Sequence, residues 1–224
     1  MERHILGNGI YTFAEAARLT AVSSQRVRAW FTGWPRGLGP ALHTDYYDLD
    51  TKHKLISFLD LVEVLVAGKL RERGVSLLTI RKAHLRLAEQ LKTEHPFSHS
   101  DLLTDGRAVF VRTANTENDP QLIDLLKNQL TFDSILRPYL DRIEWDEGTH
   151  LALRWRIVEG IVIDPAIRFG KPVVLDCAMP TAVLATAYRA NCGDTNLVAD
   201  WYGVNPNQVE LAVSFEANIS GKAA

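Results

Sequence analysis

Cysteine is scarce: Cys177 and Cys192 are the only two in 224 residues, and no Cys-x-x-Cys spacing occurs. Two isolated thiols fit a reducing cytoplasm and exclude a thiolate-rich metal site. Long apolar runs are missing too. None approaches the ~20 residues a membrane span needs. Residues 1–9, MERHILGNG, hold no apolar core of signal-peptide length, so export is not expected. The expectation is a cytoplasmic protein with no membrane partner.

The short motifs of catalysis are also absent. There is no Gly-x-Ser-x-Gly and no His-Glu-x-x-His. Residues 33–40 are glycine-rich but contain two prolines and lack the lysine–serine pair of a phosphate loop. No histidine is placed beside Cys192, which reads as an inert thiol. His95 and His99 are four apart, but Pro96 prevents a regular helical metal pair. The expectation is therefore no enzyme, no cofactor and no metal site.

What is present is the balance of a globular protein, 46% hydrophobic and 23% charged residues. The length suits one large domain or two to three small ones. Charge is uneven. Residues 1–95 carry 14 Lys and Arg against 10 Asp and Glu, and residues 96–224 carry 11 against 17. A basic front and an acidic back suggest a nucleic-acid face and a separate face that avoids phosphate.

The basic front opens on two short helices. Thr12 and Glu15 have the spacing of a capping box, and Phe13, Ala16 and Ala17 give the helix one apolar face. Ser23 caps a second helix through Phe31, with Val27, Trp30 and Phe31 inward. Ser23, Ser24, Gln25, Arg26 and Arg28 are left outward. That is the layout of a helix-turn-helix, in which the second helix lays donors against DNA from its N-terminal end. An ordinary helical hairpin has the same outline.

Residues 43–58 then predict a small β-hairpin with a basic tip, Lys52, His53 and Lys54. The tip reads as a wing touching phosphates or as a solvated turn. Residues 57–73 are strongly helical, and Gly74 ends them. Ser76 caps a longer helix with Leu77, Ile80, His84, Leu87 and Leu91 on one stripe. His84 there reads as a partly buried, hydrogen-bonded side chain. Of the five tryptophans, Trp30 and Trp201 fall on apolar helix faces and are expected in the core, while Trp34 follows a helix end and is the candidate contact.

Across residues 10–91 these motifs resemble the MerR-type winged helix-turn-helix. Val22-Ser23 matches its turn, Arg26-Val27-Arg28 its recognition helix, and Tyr46-Tyr47-Asp48 its wing strand. Phe58-Leu59-Asp60 through Gly74-Val75-Ser76-Leu77 matches the helix pair that follows. The loop at 33–40 is longer than usual, and the cysteines of the metal-sensing members have no counterpart.

Residues 96–156 read as an α+β middle block. Asp105-Gly106 predicts a hairpin turn ahead of an alternating strand through Val109 and Val111. Helices are expected at 121–127 and 132–142, and one or two strands at 151–163. Residues 157–224 then predict a strand pair through Val173 and Val174, and three helices beginning near Thr181, Thr195 and Asn205. This triplet is a second helix-turn-helix-like unit. The predicted fold is mainly α with small β-hairpins, an α+β protein in three blocks, 1–95, 96–156 and 157–224.

The run Asp164-Pro165, Phe169-Gly170-Lys171-Pro172-Val173-Val174, Pro180, Gly193 and Trp201-Tyr202-Gly203-Val204 is similar to a small antitoxin-like domain paired with PIN-like toxins. A MerR-like front joined to it resembles VapB-type antitoxins. Asp176-Cys177-Ala178 stands where that family usually has Gly-Thr-Arg. The resemblance implies a DNA-binding antitoxin that silences a PIN-like ribonuclease and represses its own operon as a homodimer. Other readings remain, a MerR-like regulator sensing a small molecule or protein and an adaptor that binds no DNA. Leu77, Leu87 and Leu91, with Val173 and Val174, are candidate partner or dimer surfaces, or internal packing.

Overall fold

The computed structural model describes residues 7–33, 39–46, 55–102, 105–117 and 129–221. The protein is mostly helical with one five-stranded antiparallel sheet, an α+β fold. Among the described residues no helix is long and apolar enough to cross a membrane. The expected helix at 121–127, the basic tip at 52–54 and Trp34 lie outside the described residues.

The front of the chain builds around α3 (Phe58–Glu72), which is apolar and buried on nearly all sides. A helix of that kind must be central. It starts in a capping box: Ser57 Oγ accepts from Asp60 N at 3.2 Å, and Asp60 Oδ2 accepts from Ser57 N at 2.8 Å. α1 (Phe13–Thr20) starts the same way, with Glu15 N donating to Thr12 Oγ1 at 3.2 Å and Thr12 N donating to Glu15 at 2.8 Å. Ala21 ends it in the left-handed region, at φ 59°. α2 (Ser24–Thr32) follows, burying Val27, Trp30 and Phe31. The α1–α2 turn sits directly on α3, since a Cβ on Gly68 would lie 2.5 Å from Val22 Cγ2.

α4 (Leu77–Leu91) begins at Ser76, whose Oγ accepts from Thr79 N at 3.1 Å. His84, in its apolar stripe, is buried and bonded to Glu63 of α3, with Nε2 at 2.9 and 3.0 Å from the two carboxylate oxygens. Leu87 is fully buried, while Leu77 and Leu91 pack half-buried against the same core. Val173 and Val174 are buried as well. Leu87, Val173 and Val174 therefore serve internal packing and present no surface to a partner. On α4 the exposed leucines are Leu78 and Leu85.

Three other expectations change. The strand Leu55–Ile56 (β2) pairs antiparallel with Tyr11–Thr12 (β1), a partner the 43–58 hairpin did not include, and residues 47–54 of that hairpin lie outside the described residues. Residues 105–111 are helical, within α5 (Asp105–Glu117). Its buried positions Val109, Phe110 and Thr113 follow a helical stripe, and Val111 is only half-buried. An Asp at a helix start satisfies the same local cue as an Asp in a turn. Trp201 is 62% exposed, because Val198 and Ala199 take the inward face of its helix. Trp30 is in the core as expected.

α6 (Gln129–Leu140) leads into the sheet, which runs in sequence order: β3 (Ile143–Trp145), β4 (Ala152–Val158), β5 (Ile161–Ile163), β6 (Val173–Val174) and β7 (Met179–Pro180). Each neighbour pair is antiparallel. The alternation expected of Leu153, Trp155 and Ile157 against Arg154 and Arg156 holds only from Trp155 onward. Trp155 and Ile157 of β4 are buried and Arg156 is exposed, but Ala152 takes the inward place and Leu153 is exposed, beside a register shift against β3. The expected block boundary between 156 and 157 falls inside β4, and the sheet includes both sides of it.

The chain closes in three packed helices, α7 (Thr181–Ala190), α8 (Thr195–Tyr202) and α9 (Pro206–Gly221). They enclose a second apolar cluster, Val174, Leu184, Val198, Ala199, Val209 and Ala212. α9 also sends Phe215 and Ile219 into the main core, so the two clusters share one helix.

Front and back are joined at residues 168–171. Ile10 N donates to Phe169 O at 3.0 Å, Tyr11 Oη to Gly170 O at 2.7 Å, and Lys171 Nζ bonds Glu15. Burial alone would raise the Glu15 carboxyl, but Lys171 and the Thr12 donors outweigh it and hold it below its ordinary 4.5. A depressed carboxyl stabilises the fold above its unfolded value and stops doing so as pH falls through the folded one. Urea unfolding should therefore show the native protein losing more stability between pH 5 and pH 3 than Glu15→Gln, which keeps the cap but not the charge. The half-exposed lysine limits the difference to about 1 kcal/mol or less. Equal acid profiles would refute the contribution.

Candidate functional site

Two arrangements carry chemistry. The first is the outer side of α2. Ser23, its N-cap, uses no side-chain cap bond and is exposed. Ser24, Gln25, Arg26 and Arg28 are exposed too. Successive residues turn about 100° on a helix. Arg26 and Arg28 therefore flank the fully buried Val27, one on each side. The Arg28 guanidinium lies 5.8 Å from the Phe13 ring centroid, a cation–π contact with α1. The first-turn N–H groups of a helix point outward beyond its N-terminus and favour anions. The five residues singled out from the sequence on this helix thus form one polar, cationic ridge on a buried apolar base. Lys52, His53 and Lys54 lie outside the described residues.

The second arrangement brings together Asp45, Asp60 and His95, each offering a ligand atom within 4.8 Å of the others. Asp60 comes from the first turn of α3, His95 from the start of the 3₁₀ turn Pro96–Ser98, and Asp45 from the stretch before 47–54. Asp60 Oδ2 is committed: Ser57 N donates at 2.8 Å and Asp45 N at 3.3 Å, and the Thr44 hydroxyl, 3.0 Å away, shares its one proton between Asp60 Oδ2 and Leu55 O. His95 Nε2 lies 3.0 Å from Asp45 Oδ1. Among the described residues the two remaining atoms, Asp60 Oδ1 and His95 Nδ1, are buried without a hydrogen-bond partner and face each other as an ion pair at 3.6 Å.

The electrostatics follow from that crowding. Burial pushes the Asp60 carboxyl up to about 7, against the pull of His95. Burial opposes charge on His95 too, but the Asp45 hydrogen bond and the fields of Glu63, Asp60 and Asp45 raise it to about 9. Asp45 and His95 open onto a groove of about 860 Å³, also lined by Tyr46, Lys92, Asp146 and Pro165.

The sequence gives no local cue for this trio. Asp60 falls in a helix read from the sequence at 57–73, but Asp45 and His95 stand fifty residues apart. His99, the other half of the pair considered from sequence, is elsewhere: its Nδ1 accepts from Asp101 N at 3.2 Å and its ring stacks on His150 at 5.6 Å.

No protein-family model and no curated protein sequence matches the chain. Among solved structures it is similar to the X-ray crystal structure of Rv2018 from Mycobacterium tuberculosis, with 27% sequence identity and a TM-score of 0.72. The match covers 91% of this chain and 96% of Rv2018. The two proteins share the α+β fold.

Proposed function

We propose that the protein is a DNA-binding, VapB-type antitoxin with a MerR-like winged helix-turn-helix front, which represses its own operon and silences a PIN-like ribonuclease. The observation that carries the DNA reading is the α2 ridge. Five polar or cationic residues stand exposed on a helix whose inner face is locked by Val27, Trp30 and Phe31. α1 packs against that helix and in turn against α3, and the exposed N-terminal turn of α2 suits entry into a major groove. Guanidinium forks match guanine edges and phosphates, so Arg26 and Arg28 are the principal readers. One module of this size buries too little for high specificity, and a homodimer on two half-sites supplies the rest.

Arg26→Ala with Arg28→Ala should weaken binding to the DNA upstream of the gene at least about 30-fold and reduce the salt slope by about 2. Both side chains are exposed and only the Arg28–Phe13 contact is lost, so the melting temperature should fall by no more than about 4 °C. Unchanged affinity and slope would remove α2 from the DNA interface.

The toxin reading rests on the resemblance and on the surface of the last three helices. Residues 205–219 contain no Lys or Arg, which disfavours a phosphate partner. Trp201, Leu197 and Val183 are exposed, and large apolar residues at a surface favour a protein partner. Co-expression with the neighbouring gene product should yield a complex that Trp201→Ala weakens. If the neighbour is not a PIN-like protein, or does not co-purify, the antitoxin reading fails. A MerR-like regulator sensing a small molecule then leads, favoured by the groove at Asp45 and His95, whose volume is that of a ligand site.

A further inference from the structure

We propose that Asp60, His95 and Asp45 build a site for a divalent transition-metal ion. Asp60 Oδ1 and His95 Nδ1 are its inner ligands, Asp45 orients the imidazole, and water from the groove completes the shell. None of these residues belongs to the DNA reading, so the site stands or falls separately.

The inference starts from two buried atoms that hold only a loose ion pair. Asp60 is fully buried and His95 is 7% exposed, yet among the described residues Asp60 Oδ1 and His95 Nδ1 make no hydrogen bond. Buried polar atoms without partners are rare and point to something missing between them. Their separation, 3.6 Å, exceeds the ~2.7–3.2 Å of an N–H···O hydrogen bond. It is close to the edge of a coordination polyhedron. Two ligands ~2.0–2.1 Å from a zinc ion at the tetrahedral angle stand about 3.4 Å apart.

The partners of the other atoms fix which ones are left for a metal. His95 Nε2, 3.0 Å from Asp45 Oδ1, donates its proton there, which turns Nδ1 toward Asp60 and leaves Nδ1 as the nitrogen whose proton an incoming ion displaces. A carboxylate–histidine–metal relay has that form. Asp60 Oδ2 is held by two backbone N–H donors beside the Thr44 hydroxyl, so its carboxylate cannot rotate away and Oδ1 is left monodentate. One imidazole nitrogen with one carboxylate oxygen is a borderline-to-hard set, which suits Zn²⁺ or Mn²⁺ better than a thiolate-seeking ion. Asp45 and His95 line the groove, which gives the ion and its waters a way in.

The test is calorimetric titration of the chelator-stripped full chain with Zn²⁺ and with Mn²⁺ at mildly alkaline pH, read beside the melting temperature. One ion per chain should bind and raise the melting temperature. His95→Asn and Asp60→Asn should each lose at least about 100-fold in affinity, and Asp45→Asn about 10- to 100-fold. His99→Asn and His150→Asn should bind as the native chain does. Absence of stoichiometric binding, or binding retained in His95→Asn, would overturn the site. Asp60 also caps α3, so its variant could fail to fold. Mn²⁺ line broadening in the NMR spectrum of the native chain then decides. Broadening centred on residues 45, 60 and 95 supports the site, and broadening centred elsewhere refutes it.

Discussion

Replacing His84 with leucine should destabilise the protein by about 3–5 kcal/mol, the cost of stranding a buried carboxylate. Glu63 is fully buried in the middle of α3. Its oxygens take His84 Nε2 at 2.9 and 3.0 Å, and Oε1 also accepts from Phe97 N at 3.2 Å. Leucine fills the space of the imidazole but leaves Glu63 with the single Phe97 donor. The His84 ring also meets Phe97 edge-on at 5.0 Å, and Phe97 stacks on Phe110 of α5 at 6.0 Å. Loss of the imidazole therefore loosens α3, α4, α5 and the 3₁₀ turn together. The double variant Glu63→Leu, His84→Leu should recover most of the loss. With both polar partners gone only the Phe97 N–H is stranded, at about 1–3 kcal/mol. Urea unfolding of the three variants orders them. A His84→Leu protein within about 1 kcal/mol of native would show that Glu63 needs no partner there.

The pair Glu63–His84 also marks how far the sequence could be read. The stripe through Leu77, Ile80, His84 and Leu87 placed His84 on the inner face, because helical period is a local property. Its partner could not be named, because Glu63 lies on another helix and its own periodicity is lost in an α3 that is buried nearly all round. The capping box at Thr12–Glu15 was legible for the same reason that His84 was: both halves lie within four residues. What failed was long-range pairing. Nothing near Leu55 says that it joins Tyr11–Thr12, and nothing near Asp45 says that it meets His95. At Val109 and Val111 the local signal itself was ambiguous. Two apolar residues two apart fit a strand, and only the burial of Phe110 and Thr113 selects the helix. On the candidate site the split is the same. The α2 ridge was readable because one helix carries it. The Asp45, Asp60 and His95 trio was not, because three separate segments do.

That dependence on distant segments is sharpest at Gly170, where substitution by alanine should cost about 3 kcal/mol or more. Arg168, Phe169 and Gly170 follow one another at positive φ, 49°, 57° and 78°. A left-handed conformation costs a non-glycine residue roughly 1–2 kcal/mol. Two such costs are already present, and alanine at 170 adds a third. The Cβ would also lie 2.1 Å from Tyr11 Oη and 3.2 Å from the Gly9 Cα. Tyr11 is fully buried and its hydroxyl is committed to Gly170 O, so the ring has no room to retreat. The backbone would have to open, breaking the contacts by which residues 169–171 hold Ile10, Tyr11 and Glu15. Because β1 continues straight into α1, the loss should reach the first helix of the proposed DNA-binding front. A double-mutant cycle isolates the cause. Tyr11→Phe alone strands the Gly170 carbonyl, at about 1–3 kcal/mol. Combined with Gly170→Ala it also removes the colliding oxygen, so the double variant should be more stable than the two single losses predict, by about 1 kcal/mol or more. Additive losses would mean that the backbone strain at 170, not the Tyr11 contact, carries the whole effect.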